Sequence, residues 1–152
     1  MVLELFKLNG KTAVVTGANT GLGQGISVAL AQAGANVIGV ARRSCSDTLD
    51  KIEKTGGTFT ECIVDLASDG AVEKIIGFVE ETAGSADILV NNAGIIIRED
   101  AVDVLPEDWD KVIYLNQTFV FRLSQQMAKR FFMPKRYGKI INIASMLSYQ
   151  GG

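Results

Sequence analysis

The chain has 152 residues, the length of one ordinary domain, and 47% of them are hydrophobic, enough to build a core. Fifteen basic against seventeen acidic residues leave a net charge of -2 with no basic stripe, which argues against a nucleic-acid partner. No apolar run approaches the roughly 20 residues that span a bilayer, and the absence of histidine removes the commonest general base and the commonest metal ligand together.

The opening stretch MVLELFKLNGKTAVV has neither a charged n-region nor a small-residue cleavage site, so a cytoplasmic protein is expected. Thr12 to Thr16, TAVVT, reads as a strand that ends at Gly17, and Leu22, Ile26, Ala29, Leu30 and Ala33 recur at helical spacing behind it. Gly34 stops that helix. Asn36 to Val40 reads as a second buried strand, Asp47 to Lys54 as a short polar helix and Phe59 to Val64 as a third strand. A helix from Asp69 to Gly84 and a strand from Asp87 to Val90 come next. After a loop from Asn91 to Leu105, Pro106 starts a long helix to about Phe132, and Lys139 to Ile143 forms a fifth strand. Strands that alternate with helices and are apolar throughout are covered on both faces. The expected fold is therefore α/β, a Rossmann-type doubly wound parallel sheet with five strands, in one dinucleotide-binding domain over residues 1–152.

TGANTGLG, Thr16 to Gly23, lies where the first strand passes into the first helix. Phosphate binding there needs backbone approach without a Cβ in the way and free N–H groups at a helix N-terminus, and Gly17, Gly21 and Gly23 supply both. The alternative is a merely structural tight turn. Cys45 and Cys62 fit no metal or redox spacing and read as small buried hydrophobes in a reducing compartment.

The pattern TGxxxGxG resembles the short-chain dehydrogenase/reductase family, as do Asp65 after the third strand, Asn91-Asn92-Ala93-Gly94 after the fourth, Asn116 in YLNQTF and Ser145 in NIASM. The resemblance implies nicotinamide dinucleotide binding by Gly17, Asn19, Thr20, Gly21, Leu22, Gly23, Asp65, Leu66, Asn92, Ala93 and Gly94. It makes Ser145 and Asn116 the catalytic residues, with Ser145 donating a hydrogen bond to the substrate oxygen. The stretches IIIREDA, IASMLSYQGG and TGLGQG resemble family members that act on deoxy-sugar acids. That implies hydride transfer between NAD(P)(H) and a keto or hydroxy group of a small-molecule sugar acid and a homotetramer for the complete protein, while charge and hydropathy argue for no membrane or nucleic-acid partner.

Asn116 also stands out by periodicity. Trp109, Val112, Asn116, Val120, Leu123 and Met127 form one helical stripe, which places an amide on a face otherwise meant for the core. Such an amide must be hydrogen-bonded to backbone or to a functional water. The resemblance implies a water in a proton relay, together with bracing of the neighbouring strand.

At the end of the second strand, VIGVARRS puts Ala41 where NAD enzymes of this kind carry an acid, and Arg42 and Arg43 follow. Guanidinium forks suit a 2′-phosphate, so the site leans to NADP, with solvated surface arginines as the alternative. Arg98 could pair with a substrate carboxylate or with its neighbours Glu99 and Asp100, and Met146 to Gln150, with Met146 and Gln150 foremost, line the same pocket by resemblance.

The family's acid–base tyrosine and lysine fall at positions after Gly152. Tyr149 is only four residues from Ser145 and is a poor substitute, and Tyr114 and Tyr137 lack a partnered lysine. The fifth strand would also stand as an apolar sheet edge. Residues 1–152 are therefore expected to be the N-terminal part of a longer single-domain enzyme. A catalytically inactive nucleotide-binding fragment, or an enzyme of gluconate or another polyol, are the competing readings.

Overall fold

A computed structural model describes residues 2–150. Its centre is a five-stranded parallel sheet in the order β3-β2-β1-β4-β5, with β1 at Thr12–Thr16, β2 at Asn36–Ala41, β3 at Thr58–Ile63, β4 at Ile88–Asn91 and β5 at Lys139–Asn142. The helices between them are α1 (Gly21–Gln32), α2 (Ser46–Glu53), α3 (Ala71–Ala83), α4 (Pro106–Ile113) and α5 (Phe119–Met127). This is the α/β doubly wound arrangement expected from the alternation of elements. Strand order reverses between β1 and β4, which opens a crevice at their C-terminal ends.

Alternation along β1 explains the two layers of core. Val14 faces a cluster with Ile38, Val40 and Leu89 under α3 and α5, whereas Ala13 and Val15 face Val37, Ile88 and Val90 under α1 and α2. Every residue of β1 and β4 is buried, as a central parallel strand requires. The outer strands differ. In β3 only Phe59 and Cys62 are buried, and all four residues of β5 are exposed, so the expectation of strands covered on both faces fails at the two edges.

The long helix after Pro106 is not a regular α-helix. A π-helical turn, Tyr114–Thr118, separates α4 from α5, and a second, Ala128–Phe132, succeeds α5. Each adds residues to a turn and rotates the phase of the helix beyond it. After the first turn the buried face is Phe119, Leu123 and Met127, and before it no residue of α4 is buried. Trp109 and Asn116 are therefore exposed, contrary to the core stripe expected from unbroken 3.6 periodicity.

At the N-terminal ends of the central strands, Asp87 ties three segments together. Its Oδ2 accepts the Thr12 N–H at 2.9 Å, and its Oδ1 meets Lys135 Nζ at 2.9 Å and Lys11 Nζ at 3.6 Å. Lys11 also lies over the Tyr137 ring, 4.2 Å from its centroid. This end of the sheet is opposite the crevice. Among the described residues, no helix is long and apolar enough to cross a membrane.

Candidate active site

The turn from β1 into α1 is held by contacts that only glycine permits. Gly17 has φ +68°, and a Cβ there would lie 2.9 Å from Asn92 Nδ2. A Cβ on Gly23 would lie 2.1 Å from the Gly17 carbonyl oxygen, so the first turn of α1 packs directly under the loop. Thr20 occupies the N-cap of α1 in extended backbone and makes no side-chain cap. The first-turn amides of α1 are thus left without a side-chain acceptor, the condition for anion binding at a helix start.

Two side chains lock this turn to the end of β4. The hydroxyl of buried Thr16 accepts the N–H groups of Asn92 and Ala93, both at 3.0 Å, and donates to the Val90 carbonyl at 3.4 Å. Asn92 returns the bond, its Nδ2 donating to the Thr16 carbonyl at 2.9 Å and the Gly17 carbonyl at 3.4 Å. Asn91 faces the other neighbour, donating to Asn142 Oδ1 at 2.8 Å and Ser124 Oγ at 3.0 Å. Thr16 opens the TGxxxGxG pattern, but its locking role escaped the sequence reading because a threonine at a strand end is read simply as a β-former. Its place immediately before Gly17 is the only signal it carries.

These elements wall a cleft of about 1020 Å³ at the switch in strand order. Gly17, Asn19, Thr20, Asn92, Ala93 and Gly94 line it beside Asp65 and Leu66, and Arg42 and Arg43 line one end. Nine of the twelve residues expected to hold the dinucleotide thus meet in one wall; Gly21, Leu22 and Gly23 lie just behind it in α1, where exposed Leu22 makes no part of the lining. The lining also takes in Tyr114 at the start of the π turn, weighed from sequence only as an acid–base group, Arg122 on α5, and Glu107, Asp110 and Lys111 of α4, which sequence reasoning did not include. Their spacing of three to four residues places these α4 residues on one helical face, a signal that was available.

The residues expected to act on the substrate are arranged differently. Asn116, outside the cleft lining, makes a two-way pair with Ile95, which does line it: Oδ1 accepts the Ile95 N–H at 2.9 Å and Nδ2 donates to the Ile95 carbonyl at 2.8 Å. The amide is satisfied by backbone although exposed, and what it holds is the loop beyond β4, which ends at Asn91, rather than the strand itself. A Cβ on Gly94 would crowd this pair, coming within 3.1 Å of Asn116 Oδ1. Ser145 caps a 3₁₀ turn, Met146–Ser148, its hydroxyl accepting the Leu147 N–H at 3.2 Å. Ser145, Met146, Gln150 and Arg98 are exposed and stand outside the cleft lining, and Arg98 pairs with neither Glu99 nor Asp100 among the described ion pairs.

Tyr114 lines the cleft, but its neighbour there, Lys111, is paired with Asp108 at 2.7 Å. Tyr149 is 95% exposed, and Tyr137 lies beside Lys11 at the opposite end of the sheet. Cys45 and Cys62 are free and buried as expected; burial pushes both thiols up to about 11, aided at Cys45 by the charge of Glu61 and at Cys62 by Cys45. Among the described residues no cluster of potential metal ligands occurs.

The sequence profile described as short chain dehydrogenase matches residues 11–152. The chain is 45% identical over 152 residues to 2-dehydro-3-deoxy-D-gluconate 5-dehydrogenase of Escherichia coli, covering 100% of this chain and 60% of that protein. Among solved structures, a candidate 2-deoxy-D-gluconate 3-dehydrogenase from Agrobacterium tumefaciens with bound NADP superposes with a TM-score of 0.85 at 47% identity, over 97% of this chain and 58% of that one. A short-chain type dehydrogenase/reductase from Mycobacterium marinum superposes with a TM-score of 0.94 at 33% identity, over 100% of this chain and 62% of that one. The chain thus spans about 60% of the length of the curated relatives it matches.

Proposed function

The chain belongs to the short chain dehydrogenase family, and from that premise we propose that it forms the cofactor-binding part of an NAD(P)-dependent oxidoreductase acting on a keto or hydroxy group of a deoxy-sugar acid. The observation that carries the reading is the lock between Thr16 and Asn92, which holds the glycine turn and the end of β4 as one wall of the cleft. When bound, the nicotinamide supplies or accepts the hydride. Gly17, Asn19, Thr20 and the first turn of α1 would hold the pyrophosphate, Asp65 and Leu66 would flank the adenine, and Asn92, Ala93 and Gly94 would support the ribose. Arg42 gives the lean to NADP, in keeping with the NADP bound by the Agrobacterium structure.

Ser145 would donate to the substrate oxygen and Asn116 would hold a water, while Arg98 would meet the carboxylate beside Met146 and Gln150. The acid–base tyrosine and lysine implied by the family have no counterpart among the described residues, so residues 1–152 stand in this proposal as one part of a longer catalytic unit. Two free, buried cysteines suit a reducing, cytoplasmic setting, and the complete protein would work as a homotetramer, as resemblance to the family implies.

The test is turnover: purified protein is mixed with NADPH or NADH and a 2-dehydro-3-deoxy or gluconate-type keto acid, and loss of the reduced-nicotinamide absorbance is followed. A rate with the deoxy acid and less with the gluconate type supports the proposal, and the reverse preference would transfer it to gluconate chemistry. Nucleotide binding without any rate favours the second reading, a nucleotide-binding fragment. That reading draws on the lack of a partnered tyrosine and lysine among the described residues, and on Ser145 standing outside the cleft lining.

A further inference from the structure

The segment that carries Arg42 and Arg43 is fastened from the far edge of the sheet. Glu61 stands on β3 opposite Gly39 of β2, and its Oε2 accepts the Cys45 N–H at 2.8 Å and the Ser44 hydroxyl at 3.2 Å. Ser44 in turn accepts the Ser46 N–H at 3.2 Å, so one carboxylate oxygen organises the chain from Ser44 to the first residue of α2. Cys45 anchors the same segment from below, its side chain buried in the layer with Ile52 and Phe59. Neither arginine forms an ion pair among the described residues, although Glu61 is the carboxylate that fastens their segment. Both therefore line the cleft end without an ion pair among the described residues.

We propose that Glu61 is a positioning residue for selection of a 2′-phosphate, holding the Arg42–Cys45 segment in place while its carboxylate is engaged by the Cys45 N–H and the Ser44 hydroxyl instead of by the arginines. The inference rests on the NADP reading of the cleft. It separates two effects of Glu61 with opposite signs. As a hydrogen-bond acceptor it orders the segment and favours the phosphate; as a negative charge near the arginines it opposes the phosphate. Removing the charge while keeping the acceptor should preserve or improve phosphate binding, and removing both should weaken it.

Calorimetric titration with 2′,5′-ADP and 5′-AMP tests this on wild type, Glu61→Ala, Glu61→Gln and Ser44→Ala. Wild type is expected to bind 2′,5′-ADP more tightly. Glu61→Ala is expected to lower that preference roughly tenfold, the size of one lost charge-assisted hydrogen bond, through 2′,5′-ADP affinity alone. Glu61→Gln is expected to restore the preference to within about twofold of wild type or above it, and Ser44→Ala, which removes one of the two bonds to Glu61 together with the acceptor of the Ser46 N–H, to lower it by about threefold.

If wild type shows no preference, the NADP reading fails. A wild-type preference that survives in Glu61→Ala overturns the role of Glu61 and leaves the NADP reading standing, as does an equal loss for both nucleotides, which would mark a general structural role. Should Glu61→Ala not fold, an unchanged preference in Ser44→Ala, or a Glu61→Gln protein that loses the preference, overturns it instead.

Discussion

The hydroxyl of Thr16 accepts the backbone N–H groups of Asn92 and Ala93, both at 3.0 Å, across a separation of more than 70 residues. One oxygen thereby fixes the end of β1 to the end of β4, the two strands between which the order of the sheet reverses. This wall of the cleft holds because a short, buried side chain at the end of β1 bonds directly to the backbone at the end of β4. Thr16→Val keeps the shape of the side chain and strands two N–H groups. A stability loss of roughly 2 kcal/mol is expected in chemical denaturation, together with weaker NADPH binding, whereas Thr16→Ser should retain most of both.

Gly23 and Gly25 lie two residues apart in α1 and should respond in opposite ways. A Cβ at Gly23 meets the Gly17 carbonyl oxygen, so Gly23→Ala must push the turn and the helix apart and abolish nucleotide binding. A Cβ at Gly25 meets nothing within 4 Å. Gly25→Ala should leave binding intact and raise stability by about 0.5–1 kcal/mol through helix propensity. Thermal melts and NADPH titrations of the two variants make the comparison.

Asp87 gives the fold an acid-sensitive joint. Burial pushes its carboxyl up, but the hydrogen bonds from Lys135 and Thr12 and the charges of Lys135 and Lys11 outweigh that and hold it below the ordinary carboxylate range. A carboxyl lowered in the folded state stabilises at pH values above its unfolded pKa, and that stabilisation is lost as the pH falls through the folded value. Asp87→Asn is expected to reduce stability at neutral pH by about 1–2 kcal/mol. Urea denaturation should show the difference fully above about pH 5 and closing below about pH 4.

Cys45 and Cys62 should be silent towards thiol reagents in the folded protein. Both are buried, and burial raises each thiol to about 11, leaving little thiolate at neutral pH. Labelling with a disulfide reagent is expected only after denaturant is added, at two thiols per chain. Rapid labelling in native buffer would contradict the packing of the α2 layer.

The strands were legible because each is a short run of β-branched and apolar residues, and the glycine turn because Gly17 and Gly23 sit where a strand passes into a helix. Local pattern was enough there. It failed along the helix after Pro106, where the π turn at Tyr114–Thr118 shifts the phase: Trp109 and Asn116 leave the core face that Leu123 and Met127 keep. Nothing in hydropathy marks such a turn. The roles of Thr16 and Glu61 were missed for a different reason, since both read as ordinary strand residues. Their partners, Asn92 for one and Ser44 and Cys45 for the other, become visible only when the strands are placed side by side.

On the proposed function, the cleft between the β1–α1 turn and the end of β4 holds one nicotinamide dinucleotide. Titrating the protein with NADPH while following nicotinamide fluorescence tests it most directly. Saturable binding at one site per chain, displaced by 2′,5′-ADP and abolished by Gly23→Ala, is the expected result. No saturable binding, or binding unchanged in Gly23→Ala, would contradict it.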